Sequence, residues 1–312
     1  MRREKMRLSH SGLNCFNECN YRYFLEYIVH READYDVEEK DYFVYGSDLH
    51  NLLSKHIKNH MISKTFLQLT FDEVRADFII KDEVKQIKIY FSSLIFIEQC
   101  NTLFKEHPSA KFLCTEQEIV TDTTKLITDT ILEIEDEWFI VDFKSSGKKD
   151  YMLPAKLYKQ PQLLHYACHK DIFKDIFKIQ SAFGGVMFWI FYKTLHKLGK
   201  ANATIPALFN HLKTEYQEDN GKFVSFLIAH ENDLRYDDYW EEYEKSYKNV
   251  MALYAMAPNE IIRNYSNCVN SYGNRCKFWS ACYEDKTFTE CKKNAKESNV
   301  LSKLFESDVE LF

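Results

Sequence analysis

Glycine and proline are scarce in this chain, at eight and five of 312 residues, beside twenty tyrosines and twenty-four phenylalanines. That bias points to an AT-rich genome. No stretch reaches the roughly 18 apolar residues that a membrane helix needs, and the charged N-terminus has no signal-peptide core. The expected location is therefore cytoplasmic, with no membrane partner. A G-x-x-x-x-G-K-[ST] loop is absent, which excludes an ATPase or helicase motor of that class. No internal repeat or low-complexity linker cuts the chain into independent halves. The net charge is −6, so the whole surface is not a polycation. Any nucleic-acid contact must rely on local basic stretches, such as Lys144 to Lys149 with Lys156 and Lys159. Nine cysteines, an odd number, argue against a disulfide framework in a cytosolic chain. What remains is a globular composition, 45% hydrophobic and 28% charged, long enough for a substantial core.

The most informative segment is Trp138-Phe-Ile-Val-Asp-Phe-Lys-Ser-Ser146. Asp142 and Lys144, at i and i+2 of an apolar strand, project from the same face. Burying both charges is costly unless a metal ion or an anionic substrate compensates them. That pattern suits metal-assisted cleavage of a phosphodiester bond. Lys125–Ile134 reads as a preceding strand and Glu135-Asp136 as a tight turn. If the hairpin closes there, cross-strand partners sum to 271 and Asp129 lies opposite Asp142, their Cβ atoms roughly 4.5–5.5 Å apart. Two carboxylates so placed call for a divalent cation, and oxygen ligands suit magnesium or manganese. The alternative is that Asp129 ends its strand in solvent and Asp142–Lys144 is a surface ion pair.

Elsewhere, Ser9 opens a capped helix running to about Tyr27, followed by an acidic loop from His30 to Lys40. A second helix is expected from about Gly46 to Met61, and residues 71–106 read as helical. Strands are expected at 112–121, 125–134, 137–144 and 182–192, with helices at 155–169 and 233–256. Residues 193–222 show no clear periodicity.

Gly46-x-x-x-His50, Asp129, Asp142-x-Lys144 and Gln162-x-x-x-Tyr166, in that order, resemble the PD-(D/E)XK nuclease superfamily. The closest likeness is to its RecB/AddB branch, which includes iron–sulfur exonucleases of CRISPR adaptation and phage recombination nucleases. Leu8-Ser-His-Ser-Gly-Leu-Asn-Cys-Phe-Asn-Glu-Cys19 is similar to that branch's N-terminal signature, with Asn20 where proline is usual. The resemblance implies an α/β fold, a mixed sheet flanked by helices. Residues 1–285 would form the nuclease domain, with insertions at about 60–110 and 195–245 and a cluster-binding segment at 265–285. It also implies that His50, Asp129 and Asp142 hold Mg²⁺ or Mn²⁺, with the Phe143 carbonyl as a further ligand. Lys144 would act on the attacking water and the transition-state charge, Gln162 would position Lys144 or a metal-bound water, and Tyr166 would help hold the substrate strand.

Cys268, Cys276 and Cys282 form a C-terminal group. With Cys19 they match the branch's one-plus-three ligand set for a [4Fe–4S] cluster. Seven residues separate Cys268 from Cys276, where two are commoner, and Cys15 is an alternative ligand. A structural Zn²⁺ site or unliganded thiols are the competing readings. Cys100, Cys114 and Cys168 look like packing residues, and Cys291 has no assignment. The tail from 286 ends in Val-Glu-Leu-Phe312, which either docks on this protein's own core or resembles a sliding-clamp peptide.

The function expected from these features is a metal-dependent DNA nuclease, a single-strand-preferring exonuclease of recombination, repair or processing, with a helicase partner supplying the missing motor. The competing reading is a catalytically inert iron–sulfur nucleic-acid-binding subunit of a recombination or CRISPR-type complex.

Overall fold

A computed structural model describes residues 7–31, 41–67, 69–146, 160–193, 198, 204–218, 223–268 and 276–283. The chain divides into two compact units, one of residues 39–119 and 126–240, the other of residues 1–38, 120–125 and 241–312.

The first unit is built on a five-stranded sheet in the order β1 (Lys111–Val120), β2 (Lys125–Ile134), β3 (Glu137–Ser146), β4 (Ala182–Tyr192) and β5 (Val224–His230). β2 and β3 pair antiparallel, β3 and β4 parallel, and β4 and β5 antiparallel, so the sheet is mixed. The β2–β3 ladder runs from Thr130↔Val141 to Ile134↔Glu137, which is the register expected from the Glu135-Asp136 turn. Glu135 takes the left-handed φ of 53° that a two-residue hairpin turn requires. The parallel β3–β4 pair needs a crossover, and α6 (Pro161–Cys168) and α7 (Lys170–Phe177) lie in it. Pro161 sits in the first turn of α6, where its missing N–H costs nothing. The expected start of that helix, residues 155–159, lies outside the described residues.

Two of the eight glycines solve a local problem in β4. Gly185 has φ +136°, and a Cβ there would stand 2.1 Å from the Ala229 carbonyl oxygen. A Cβ on Gly184 would meet the Phe139 ring at 2.4 Å, beside the register shift between Trp138 and Phe139.

One face of the sheet packs on α3 (Asp41–Ser63) and α5 (Glu83–Glu106). Leu49, Leu53 and Ile57 recur at helical spacing on α3 and join Phe96, Phe143, Trp189 and Phe191 in one buried cluster. The 71–106 stretch is two helices, not one. The short α4 (Phe71–Arg75) opens on a Thr70–Glu73 capping box, and Asp82 caps α5 by accepting from the Lys85 N–H. Buried Asp48 holds the break between them, accepting from the Ile79 and Ile80 N–H groups at 2.9 and 2.8 Å. Sequence periodicity missed α8 (Ile205–Glu218), which buries Leu208 and Leu212 against Ile87 and Phe91 of α5. Ile205, Phe209 and Tyr216 pack partly buried beside them, so the stripe at helical spacing was present and was missed among the polar residues around it.

In the second unit, Ser9 caps α1 (His10–Glu18) by accepting from the Gly12 N–H. Cys19 ends α1 and begins α2 (Asn20–Tyr23), which passes into a π-helical turn, Phe24–Ile28. Leu8 bridges to Thr124, whose hydroxyl donates to the Leu8 carbonyl. The side-chain amides of Asn264 and Asn267 both donate to the Glu18 carbonyl, at 2.9 and 2.8 Å. Further helices are α9 (Tyr236–Leu253), which begins in the first unit, and α10 (Trp279–Tyr283). The expected loop beyond Arg31 and the 286–312 tail, with Cys291, lie outside the described residues. No described helix is long and apolar enough to cross a membrane.

Candidate metal centre and active site

The β2–β3 ladder stops at Thr130↔Val141, and the next level carries Asp129 and Asp142. Both acids are buried at the end of that ladder. Asp129 is fixed by the backbone, because the Phe143 N–H donates to its Oδ2 at 2.5 Å.

His50 approaches from α3. Its Nε2 lies 2.9 Å from the Phe143 carbonyl oxygen, which can only accept, so that nitrogen carries the proton. In the neutral ring this leaves the Nδ1 lone pair facing Asp129 Oδ1 at 3.3 Å and Glu116 Oε1 at 3.7 Å. One ligand atom from each of His50, Glu116 and Asp129 lies within 4.8 Å of the others. Burial opposes a charge on His50, but the Asp129 carboxylate, supported by Glu116, outweighs it and pushes the pKa up to about 10. A proton on His50 would offset part of the charge of the two carboxylates. One nitrogen and two carboxylates converging in that way fit a hard divalent cation.

Glu116 was not expected. It lies inside β1 with φ +48°, rare for a residue bearing a side chain. The buried positions of β1 shift there, from Phe112 and Cys114 to Ile119, as at a bulge. The only trace in the sequence is broken alternation in Thr115-Glu-Gln-Glu118.

Asp142, Lys144, Gln162 and Tyr166 form an adjoining network. Lys144 Nζ is 2.6 Å from Asp142 Oδ2. Gln162 on α6 donates from Nε2 to Asp142 Oδ1 at 2.9 Å and accepts at Oε1 from Lys144 at 3.1 Å. Its amide can satisfy a carboxylate and an ammonium together in this orientation alone. The second Nε2 proton goes to the Tyr166 hydroxyl at 3.1 Å, which in turn donates to the Ile127 carbonyl at 2.5 Å. Burial pushes the Asp142 pKa up to about 6; Lys144 opposes the rise and Asp129 adds to it.

The structure therefore divides the expected site residues into two neighbouring groups. His50 and Asp129 meet Glu116, whereas both Asp142 oxygens face Lys144 and Gln162. The Phe143 carbonyl, expected as a metal ligand, faces the His50 ring. Tyr166 is buried, and its hydroxyl orients Gln162.

A family model for the PD-(D/E)XK nuclease superfamily matches residues 7–283, across both units. The chain belongs to the PD-(D/E)XK nuclease superfamily. Members of this superfamily are mostly metal-dependent nucleases, and the mixed sheet and the donor set agree with that membership. No curated protein matches the chain.

In the second unit, Cys19, Cys268, Cys276 and Cys282 line one small cavity. Burial pushes the Cys276 thiol up, and the Cys282 thiol up to about 12, with the neighbouring cysteines adding to both. Cys15 is not among the lining residues, and its Sγ points to Glu26 Oε2 at 3.8 Å. Cys100 and Cys114 are buried, Cys100 within the main cluster, while Cys168 is half-buried with its thiol against the Tyr236 carbonyl.

Proposed function

We propose that this protein is a Mg²⁺- or Mn²⁺-dependent deoxyribonuclease, an exonuclease preferring single strands, acting in DNA recombination, repair or processing. The observation that carries this reading is the convergence of His50 Nδ1, Glu116 and Asp129 beside the Asp142–Lys144 pair. His50, Glu116 and Asp129 would hold the cation, with Asp142 at its border. The cation would supply Lewis-acid activation of a water and of the phosphate. Lys144 keeps an ammonium proton at the reacting phosphate and offsets charge that grows in the transition state. Gln162 fixes the Lys144 ammonium, and Tyr166 fixes Gln162, so the cationic group is in place before substrate arrives. Exonuclease action, strand preference and a helicase partner rest on the RecB/AddB resemblance.

The same resemblance, with four thiols on one cavity, supports a [4Fe–4S] cluster held by Cys19, Cys268, Cys276 and Cys282, with Zn²⁺ as the alternative. It would join the N- and C-terminal segments of the second unit. The terminal Leu-Phe remains a candidate clamp-binding peptide.

The deciding experiment incubates labelled single-stranded DNA with wild-type protein and Mn²⁺, alongside Lys144→Ala. Cleavage by the wild type alone supports the reading. Tight binding without cleavage would replace it with an inert nucleic-acid-binding subunit.

A further inference from the structure

The two carboxylates that face His50 sit on adjacent strands, and two threonine hydroxyls tie the residues beside them together. Thr115, immediately before Glu116 on β1, donates from Oγ1 to the Asp129 carbonyl of β2 at 2.9 Å. Thr130, immediately after Asp129, donates from Oγ1 to the Cys114 carbonyl of β1 at 2.6 Å. These two rungs run in opposite directions between Cys114-Thr115 and Asp129-Thr130. Thr115 is half-buried and Thr130 buried. Asp129 is thereby held from both neighbouring strands, at its carbonyl by Thr115 and at its carboxylate by the Phe143 N–H. Threonine suits this task, because its branched Cβ restricts χ1 and an anchored hydroxyl then fixes the backbone that bears it.

Glu116 needs such support. A residue with a side chain at φ +48° inside a strand persists only where its surroundings over-determine it. Relaxation to the extended backbone of an ordinary strand would redirect its carboxylate away from His50, which it now faces at 3.7 Å. We propose that Thr115 and Thr130 are positioning residues of the candidate metal centre. Their hydroxyls hold the left-handed residue Glu116 against Asp129 and so set the spacing of the two carboxylates offered to the cation. The proposal rests on the metal-centre reading.

The test measures Mn²⁺ binding to the full chain by electron paramagnetic resonance of the free ion, without substrate, beside urea unfolding of each preparation. Thr115→Val and Thr130→Val keep the side-chain shape and remove the hydroxyl. Each should bind Mn²⁺ about 10-fold more weakly, as for loss of a group that orients a ligand, while Thr115→Ser and Thr130→Ser bind as wild type. If buried Thr130→Val does not fold, half-buried Thr115→Val still decides the matter. Because Thr115 acts through Glu116, its valine variant should cost far less affinity in a Glu116→Gln background. Wild-type affinity in the folded valine variants would overturn the proposal, as would losses from Thr115→Val and Glu116→Gln that simply add. A wild type that binds no Mn²⁺ would sink the metal centre and the proposal with it. Weakened Mn²⁺ binding in a protein that never cleaves DNA would uphold the positioning role and sink the nuclease reading alone.

Discussion

The Lys144 ammonium stands 2.6 Å from the carboxylate of Asp142, two residues earlier on the same strand. Asp142 is only 2% exposed, so this pair is the main charge compensation that the protein itself gives that acid. Replacing Lys144 by Ala removes the compensation and the cation at the phosphate together. Cleavage should fall by about 10²–10³-fold in kcat, while oligonucleotide binding changes little. Single-turnover rates beside anisotropy on the same preparation check this.

Glu116→Gln keeps the shape of the bulged strand and removes one carboxylate from the His50–Asp129 cluster. Mn²⁺ affinity should fall at least roughly 10–100-fold, with activity partly restored at high Mn²⁺. Calorimetric titration of Mn²⁺ into the variant measures the loss without relying on turnover. An unchanged affinity would remove Glu116 from the ligand set.

Tyr166→Phe deletes the hydroxyl that joins Gln162 to the Ile127 carbonyl. Losing the bond between these part-buried groups should cost about 1 kcal/mol, seen as a lower urea midpoint. Freed from that anchor, Gln162 holds Lys144 less firmly, so kcat should drop more than KM shifts. Gln162→Ala should lower kcat further, because it loosens Lys144 and Asp142 together.

Buried His56 on α3 has its pKa lowered from 6.5 to about 4, mainly by burial, with Lys55 adding to the effect. The unfolded chain takes up this proton near pH 6.5, whereas the folded protein resists it down to about 4. Stability is thus fully present above the unfolded pKa and falls as the pH drops through that window, by up to about 3 kcal/mol from this residue. His56→Leu should flatten that acid limb in urea unfolding followed from neutral to acid pH. His60 and His169, also lowered by burial, should leave some acid sensitivity behind.

Anaerobically purified protein should contain iron and acid-labile sulfide in equal amounts and show broad visible absorption. Cys276→Ser or Cys282→Ser should lose both signals and destabilise the fold, since the four proposed ligands come from sequence-distant parts of one unit. Zinc without sulfide would replace the cluster with a structural Zn²⁺ site.

Elements with strong local signals were legible in the sequence. The β2–β3 hairpin followed from two apolar strands around a short turn, and its register holds from Thr130↔Val141 to Ile134↔Glu137. The Ser9 cap marked the start of α1, and β4 was a continuous apolar run. Less legible was the break between α4 and α5, which depends on Asp48 capping from another helix, while α8 was missed although Ile205, Leu208, Phe209, Leu212 and Tyr216 recur at helical spacing. Glu116 left only the broken alternation of Thr115 to Glu118, because a left-handed residue inside a strand interrupts the two-residue pattern without marking its own role.

The sequence alone supplied candidates for the chemistry, without Glu116, and determined how β2 and β3 align, because strand pairing repeats every two residues and a one-residue slip would invert the faces. Only the tertiary structure decided which of those residues share a ligand space. His50 comes from α3, far from Asp129 in sequence, and lies between the Phe143 carbonyl and the Asp129 carboxylate. Glu116, in a left-handed conformation, faces His50, and Gln162 bridges Asp142 and Lys144. Such meetings depend on packing between elements far apart in the chain, which local periodicity does not encode.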